Sequence, residues 1–242
     1  FADNINLLNS KEPKLKYLDI KYDNKCNLAC RMCSAGSSDQ HQKELFIQVN
    51  DGKRIPNHFD YGLYENNSNY KEQLSRRLSH TIEKPFLEQD VISAIPELEV
   101  LKVTGGEPTV NHKFLNAVDY AIKNDYAKNI VLDLTTNGTK FNTDLLEKIS
   151  HFKFCRFRIS IDGTDKLYDY IRYPFNWDML NKSVNLMFSH FKERGYLQNK
   201  VSVGFSIVAQ PYNIFNLDDI YKWASDLYKK YYSDLSEHEG PD

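Results

Sequence analysis

Lys25-Cys26-Asn27-Leu28-Ala29-Cys30-Arg31-Met32-Cys33 carries three of the chain's four cysteines at the spacing C-x3-C-x2-C. It follows directly on a strand-like segment, residues 16–22. Three thiolates can hold three irons of a cubane iron–sulfur cluster and leave the fourth iron open, whereas electron-transfer clusters ordinarily take four cysteines. The competing reading is a structural zinc site, which wants four ligands, commonly two C-x2-C pairs or one pair plus histidines. Cys155 is the only other cysteine and lies far along the chain; His41 is the nearest downstream histidine, and no H-x3-H pattern follows. Cys26, Cys30 and Cys33 are the candidate metal ligands.

Outward from this stretch, strand and helix patterns alternate. Strands are expected at residues 16–22, 98–103, 129–135, 155–161 and 201–209. Helical spacing of apolar residues appears at Phe114, Leu115, Val118, Ala121 and Ile122, and at Leu145, Leu146 and Ile149 behind a cap at Asn142 or Thr143. It returns at Leu180, Val184, Met187, Phe188 and Phe191, and at Ile220, Trp223, Ala224, Leu227 and Tyr231. Such alternation argues for an α/β fold with a parallel sheet. Parallel strands covered on both faces read as continuous apolar runs, and these do not. Arg156, Arg158, Ser160 and Asp162 alternate with Cys155, Phe157, Ile159 and Ile161; Tyr17, Asp19, Lys21 and Asp23 alternate with Leu18, Ile20 and Tyr22. Asp133, Thr135 and Asn137 share a face, as do Ser202, Gly204, Ser206, Val208 and Gln210. One face of the sheet is therefore polar, as in a sheet curled around a polar interior with helices outside. Cys155 falls on the apolar side, which makes it a small buried hydrophobe and not a fourth ligand.

A second motif, Thr104-Gly105-Gly106-Glu107-Pro108, again follows a strand-like run. At these two motifs the chain resembles the radical S-adenosylmethionine (radical SAM) enzymes. The resemblance implies a partial (β/α) barrel with about five parallel strands visible here and the sixth missing or beyond the chain end. It implies that Cys26, Cys30 and Cys33 hold a [4Fe-4S] cluster, and that Gly105, Gly106, Glu107 and Pro108 approach the methionine amino end of SAM, chiefly through backbone. Thr136 and Asn137, in Thr135-Thr136-Asn137-Gly138 at the end of the third strand, are further candidates. Ser160-Ile161-Asp162-Gly163 followed by Ile171-Arg172 is similar to the peptide- and protein-modifying branch with SPASM or twitch extensions. On that likeness Ser160 contacts the SAM ribose, Arg172 pairs with the SAM carboxylate, Asp162 lies at the same site and Val208 contacts adenine. The implied activity is reductive cleavage of SAM to a 5′-deoxyadenosyl radical that takes hydrogen from a substrate, with a peptide or protein favoured and a reductant protein as a second partner. The position before the last cysteine, often aromatic in the family, is Met32.

The bulk properties bound these readings. At 242 residues a single core domain is expected over 1–242. Residues 34–96 interrupt it with a polar insertion rich in Ser, Asn, Gln and Tyr, with helical pieces near 40–47, 70–78 and 86–95. Long connections serve as lids or binding segments, or as solvated decoration, and the sequence leaves both open. The 31 basic and 33 acidic residues nearly balance, so no basic field points to nucleic acid. Mean hydropathy is −0.59, and the longest apolar stretch, about 201–209, is too short to span a membrane. No signal-peptide pattern opens the chain, and few cysteines grouped for a metal fit a reducing cytoplasm. The first residue is Phe1, so the native start is expected upstream; no cysteines are left for an auxiliary-cluster domain, which is expected to be absent from 1–242, the chain being the N-terminal portion of a longer protein or a cut-down variant. The rival function is a non-catalytic barrel fragment, zinc-bound or metal-free, that binds a partner through the insertion.

Overall fold

A computed structural model describes residues 14–50, 85–197 and 199–233. The helical piece expected at 70–78 lies outside the described residues. In chain order the elements are β1 (Tyr17–Lys21), α1 (Asp39–Asn50), α2 (Pro85–Ala94), β2 (Val100–Thr104), α3 (His112–Lys123), β3 (Val131–Thr136), α4 (Thr143–Ile149), β4 (Phe154–Ser160), α5 (Asp165–Ile171), α6 (Trp177–Glu193), β5 (Val201–Ser206) and α7 (Leu217–Tyr232). The five strands form one parallel sheet in the order β1-β2-β3-β4-β5. With neighbours always sequential and crossovers right-handed, the connecting helices fall on one face.

That face is the core. Leu101, Val103, Leu132, Leu134, Phe157 and Ile159 from the strands are buried against Phe114, Val118, Leu146, Val184, Phe188 and Phe191 from the helices. Phe157 meets Phe141 edge-on at 5.7 Å between ring centroids and tilts against Phe191 at 5.7 Å. Burying each such side chain contributes about 1.5–3 kcal/mol. Cys155 belongs to this layer, its thiol directed at the Ile149 carbonyl oxygen (3.2 Å). Three asparagines set the helix starts: Asn111 accepts from the Lys113 and Phe114 amides, Asn142 from Leu145, Asn176 from Met179. Each cap is worth about 1 kcal/mol. Of the two cap residues the sequence offered for α4, Asn142 is the one used.

The other face is polar in rows. Register aligns Asp19, Lys102, Asp133, Arg156 and Ser202 across all five strands. Lys102 pairs with Asp19 at 2.5 Å, and Asp133 with Arg156 at 3.1 Å. One row nearer the strand ends stand Thr135, Arg158 and Gly204. The expected alternation is thus realised in the lumen of an open (β/α) barrel. One boundary differs: the fifth strand, expected over 201–209, stops at Ser206. Beyond it the Val208 amide turns to the Asp162 carboxylate (2.8 Å) and the Asn213 side chain donates to the Val208 and Asp162 carbonyl oxygens (2.9 and 3.1 Å). These bonds capture backbone that the apolar run Ile207-Val208-Ala209 would have given to a longer strand.

Candidate cluster and cofactor site

All the motifs stand at the carboxyl ends of the strands, where cofactor sites of such sheets lie. The cysteine loop after β1 is built by its neighbours. Asn24 donates to the Ala35 carbonyl (2.7 Å) and to Gln42 (2.6 Å), and its own carbonyl accepts from the Asp39 amide (2.8 Å). Asp39 accepts from the Cys26 amide (3.0 Å), while His41 meets the Cys30 carbonyl (2.9 Å). The start of α1 therefore clamps the cysteine run at its first and second cysteines. The amides of Ala29 and Arg31 donate to the Tyr173 and Ile171 carbonyls (2.7 and 2.9 Å), which fixes the loop to the segment bearing Arg172.

The second motif meets the first through backbone. Glu107 donates its amide to the Lys25 carbonyl (2.8 Å). Gly106 has φ +51°, and a Cβ there would lie 2.3 Å from the Lys25 oxygen, so the close approach requires a residue without one. The third joins too: Asn137 donates to Asn27 (2.9 Å) and lies 4.0 Å from the Cys26 sulfur, and Asn27 donates to Thr139 (2.8 Å). Arg172, buried, has one guanidinium nitrogen 3.8 Å from the Cys30 sulfur and pairs with Asp162 through another; its Nε is buried without a partner.

Several residues expected at the cofactor have their side-chain polar atoms taken up inside the protein. Glu107 is 1% exposed, and its carboxylate accepts from the Thr109 amide and hydroxyl (3.1 and 2.6 Å), the Thr136 hydroxyl (2.6 Å) and the Asn137 amide (2.6 Å). Burial pushes its carboxyl above the usual range, against the pull of those bonds. Thr136 lies on the helix-facing phase of β3 and is spent on Glu107 and the Gly138 amide. Asp162, fully buried, holds Arg172 and the Val208 amide. These three set the positions of the β2, β3 and β4 turns. Ser160 is half-buried on the polar face, and Val208 is exposed. The supporting set Asn24, Gln42, Asp39, His41, Thr139 and Asn213 carries no motif of its own, and each finds its partner only through the topology.

The donor set suits a cluster bound through one thiolate per iron. Cys33 is lowered to about 6, first by the hydrogen bond from the Cys30 thiol and then by the Arg172 and His41 charges. Cys30 moves the other way through the same bond and its burial, and burial pushes Cys26 up to about 11. Deprotonated thiols are the ligand form. Three sulfurs on one loop, with the fourth cysteine across the sheet, match three irons of four.

The sequence model of the radical SAM superfamily matches residues 20–197; the chain belongs to the radical SAM superfamily, whose cofactors are a [4Fe-4S] cluster and SAM. Mycofactocin maturase MftC of Mycobacterium tuberculosis is 28% identical over 145 residues, 57% of this chain and 33% of that protein. The uncharacterised protein MJ0907 of Methanocaldococcus jannaschii is 28% identical over 152 residues, 62% of this chain and 40% of that one. The matches thus span less than half the length of these relatives. Among solved structures, native anSMEcpe with bound AdoMet and a Cp18Cys peptide superposes with a TM-score of 0.53 at 18% identity, covering 90% of this chain and 49% of that one. Native anSMEcpe with AdoMet gives 0.52 at 17%, covering 87% and 47%. These likenesses establish the fold, a radical SAM partial barrel. Among the described residues no helix is long and apolar enough to cross a membrane.

Proposed function

We propose that this chain is the SAM-cleaving core of a radical SAM enzyme that modifies a peptide or protein. The observation that carries the reading is the direct bonding of three turns: the Gly-Gly-Glu-Pro turn joins the cysteine loop at Lys25 (2.8 Å), and the Asn137 turn joins it at Asn27 (2.9 Å). When bound, a reduced [4Fe-4S] cluster supplies the electron that splits SAM into methionine and a 5′-deoxyadenosyl radical, which takes a hydrogen atom from the substrate. Cys26, Cys30 and Cys33 would hold three irons. The turn from Gly105 to Pro108 would present backbone to the methionine amino group, since the Glu107 carboxylate is already saturated. Arg172 retains a buried, unpaired Nε as a donor for the SAM carboxylate. Ser160 would bind the ribose and Val208 would cover the adenine. Thr136 and Asn137 act by holding their turn against Cys26 and Glu107.

A peptide substrate is favoured because one relative is a maturase and one structural neighbour was solved with a peptide bound. A reductant protein is the second partner, and a reducing cytoplasm suits the unpaired cysteines. Of the described parts of the 34–96 insertion, α1 braces the cysteine loop. The test is metal and sulfide analysis of the anaerobically purified chain together with an assay for 5′-deoxyadenosine. Iron with sulfide and SAM-dependent 5′-deoxyadenosine support the reading; zinc without sulfide refutes it.

A further inference from the structure

The cofactors account for the mouth of the barrel but not for the middle of its polar face. On β4, Arg158 and Arg156 stand one and two side-chain rows below Ser160, about 7 and 13 Å along the strand. Both donate to the same atom, Asp133 Oδ2, at 3.0 and 3.1 Å. Asp133 is only 3% exposed, yet its Oδ1 has no partner. The guanidinium side chains remain 42% and 45% exposed. Among the described residues Asp133 is the sole bonded partner of each. An arginine has five N–H donors, so most of theirs are unused.

The space beside Arg158 is open as well. Its register partner on β5 is Gly204, where a Cβ would meet nothing closer than the Phe157 carbonyl oxygen at 3.9 Å. A glycine inside a strand gives up packing and often marks a place where something else approaches closely. The charge balance then selects the ligand. Lys102 is neutralised by Asp19, and Asp133 offsets one of the two arginines. The Asp133–arginine group itself is left with one positive charge, which matches a monoanion, while Lys21, at the β1 end of the Arg158 row, hydrogen-bonds the Gly36 carbonyl; a phosphate monoester brings about −1.5 to −2. The planar guanidinium fork fits a carboxylate.

We propose that Arg158 and Arg156, held by Asp133 beside the gap at Gly204, form a receptor for a carboxylate of the substrate. It rests on the reading of this chain as a radical SAM enzyme with a peptide substrate. The receptor anchors the acidic group below the cofactor level, so that the rest of the substrate rises toward Ser160.

The test measures binding to the full, anaerobically reconstituted chain by saturation-transfer NMR, without SAM. The probes are N-acetylglutamate N-methylamide, with a side-chain carboxylate, and N-acetylglycylglycine, with a terminal one, each beside its carboxamide counterpart. At least one carboxylate probe should bind about tenfold or more tightly than its amide, and whichever binds identifies the source of the carboxylate. Arg158→Met should remove about tenfold or more of that affinity. Gly204→Leu, which keeps every charge and whose Cβ meets nothing closer than 3.9 Å, should do the same, and thermal melting checks the fold of both. Equal binding of acids and amides, no binding by either acid, or carboxylate affinity unchanged in a folded Gly204→Leu variant would overturn the assignment. So would displacement by inorganic phosphate more effective than by carboxylates. Wild-type 5′-deoxyadenosine formation is assayed alongside. If it occurs without carboxylate preference, the receptor alone fails; if it is absent from a cluster-loaded chain, the enzymatic reading fails instead.

Discussion

Gly106 shows how narrowly the site is specified at the scale of single residues. The Lys25 carbonyl occupies the place of its missing Cβ, and φ is +51°. Gly106→Ala must displace the cysteine loop or the turn, at a strain cost of roughly 1–3 kcal/mol. We expect SAM affinity to fall about tenfold or more, measured by equilibrium dialysis on cluster-loaded protein. The cysteines divide sharply. Ala at Cys26, Cys30 or Cys33 should abolish the full complement of iron and sulfide. Cys155→Ala should leave it unchanged and cost about 1 kcal/mol of stability, because that thiol is buried against Ile149 on the helix side. Loss of iron in Cys155→Ala would contradict the ligand assignment. The cysteine spacing and the phase of Cys155 were legible in the sequence because both are local. The partners of Glu107 were not: Thr136 and Asn137 lie 29 and 30 residues away, and only the β2–β3 register brings them together.

At the scale of elements, alternation along each strand announced which face would be wet, since period two allows no other assignment. The strands lie within a few residues of their expected bounds except at the end of β5, where side-chain capture by Asp162 and Asn213 overrides an apolar run. The helical layer yields two predictions. Phe157→Ala removes a ring in contact with Phe141 and Phe191 and should cost about 3–5 kcal/mol, read from the urea midpoint. His190, in α6, is 5% exposed. Burial first and the Arg194 charge second hold its pKa below the ordinary value, against Glu147 and Glu193. Folding therefore disfavours its protonated form, so its contribution to stability is complete above about pH 6.5 and is lost as pH falls through the lowered value. The slope from one such group is at most about 1.4 kcal/mol per pH unit. His190→Leu should flatten that part of the stability–pH curve between pH 5 and 7; an unchanged curve would contradict the buried neutral imidazole.

At the scale of the whole molecule, a five-stranded parallel sheet with helices on one face encloses a polar lumen, and every motif lies at one end of it. The row Asp19, Lys102, Asp133, Arg156 across the lumen arises from register between strands far apart in sequence, so the sequence indicated a polar face without indicating its charge pairing. The central claim is that the three-cysteine loop, braced by α1 and the Gly-Gly turn, holds a cluster with an iron open to SAM. Low-temperature EPR of the anaerobically reconstituted, dithionite-reduced chain, with and without SAM, tests it most directly. A [4Fe-4S]+ signal that changes when SAM is added is the predicted result. A cluster signal indifferent to SAM, or no cluster signal from protein carrying zinc, would contradict it.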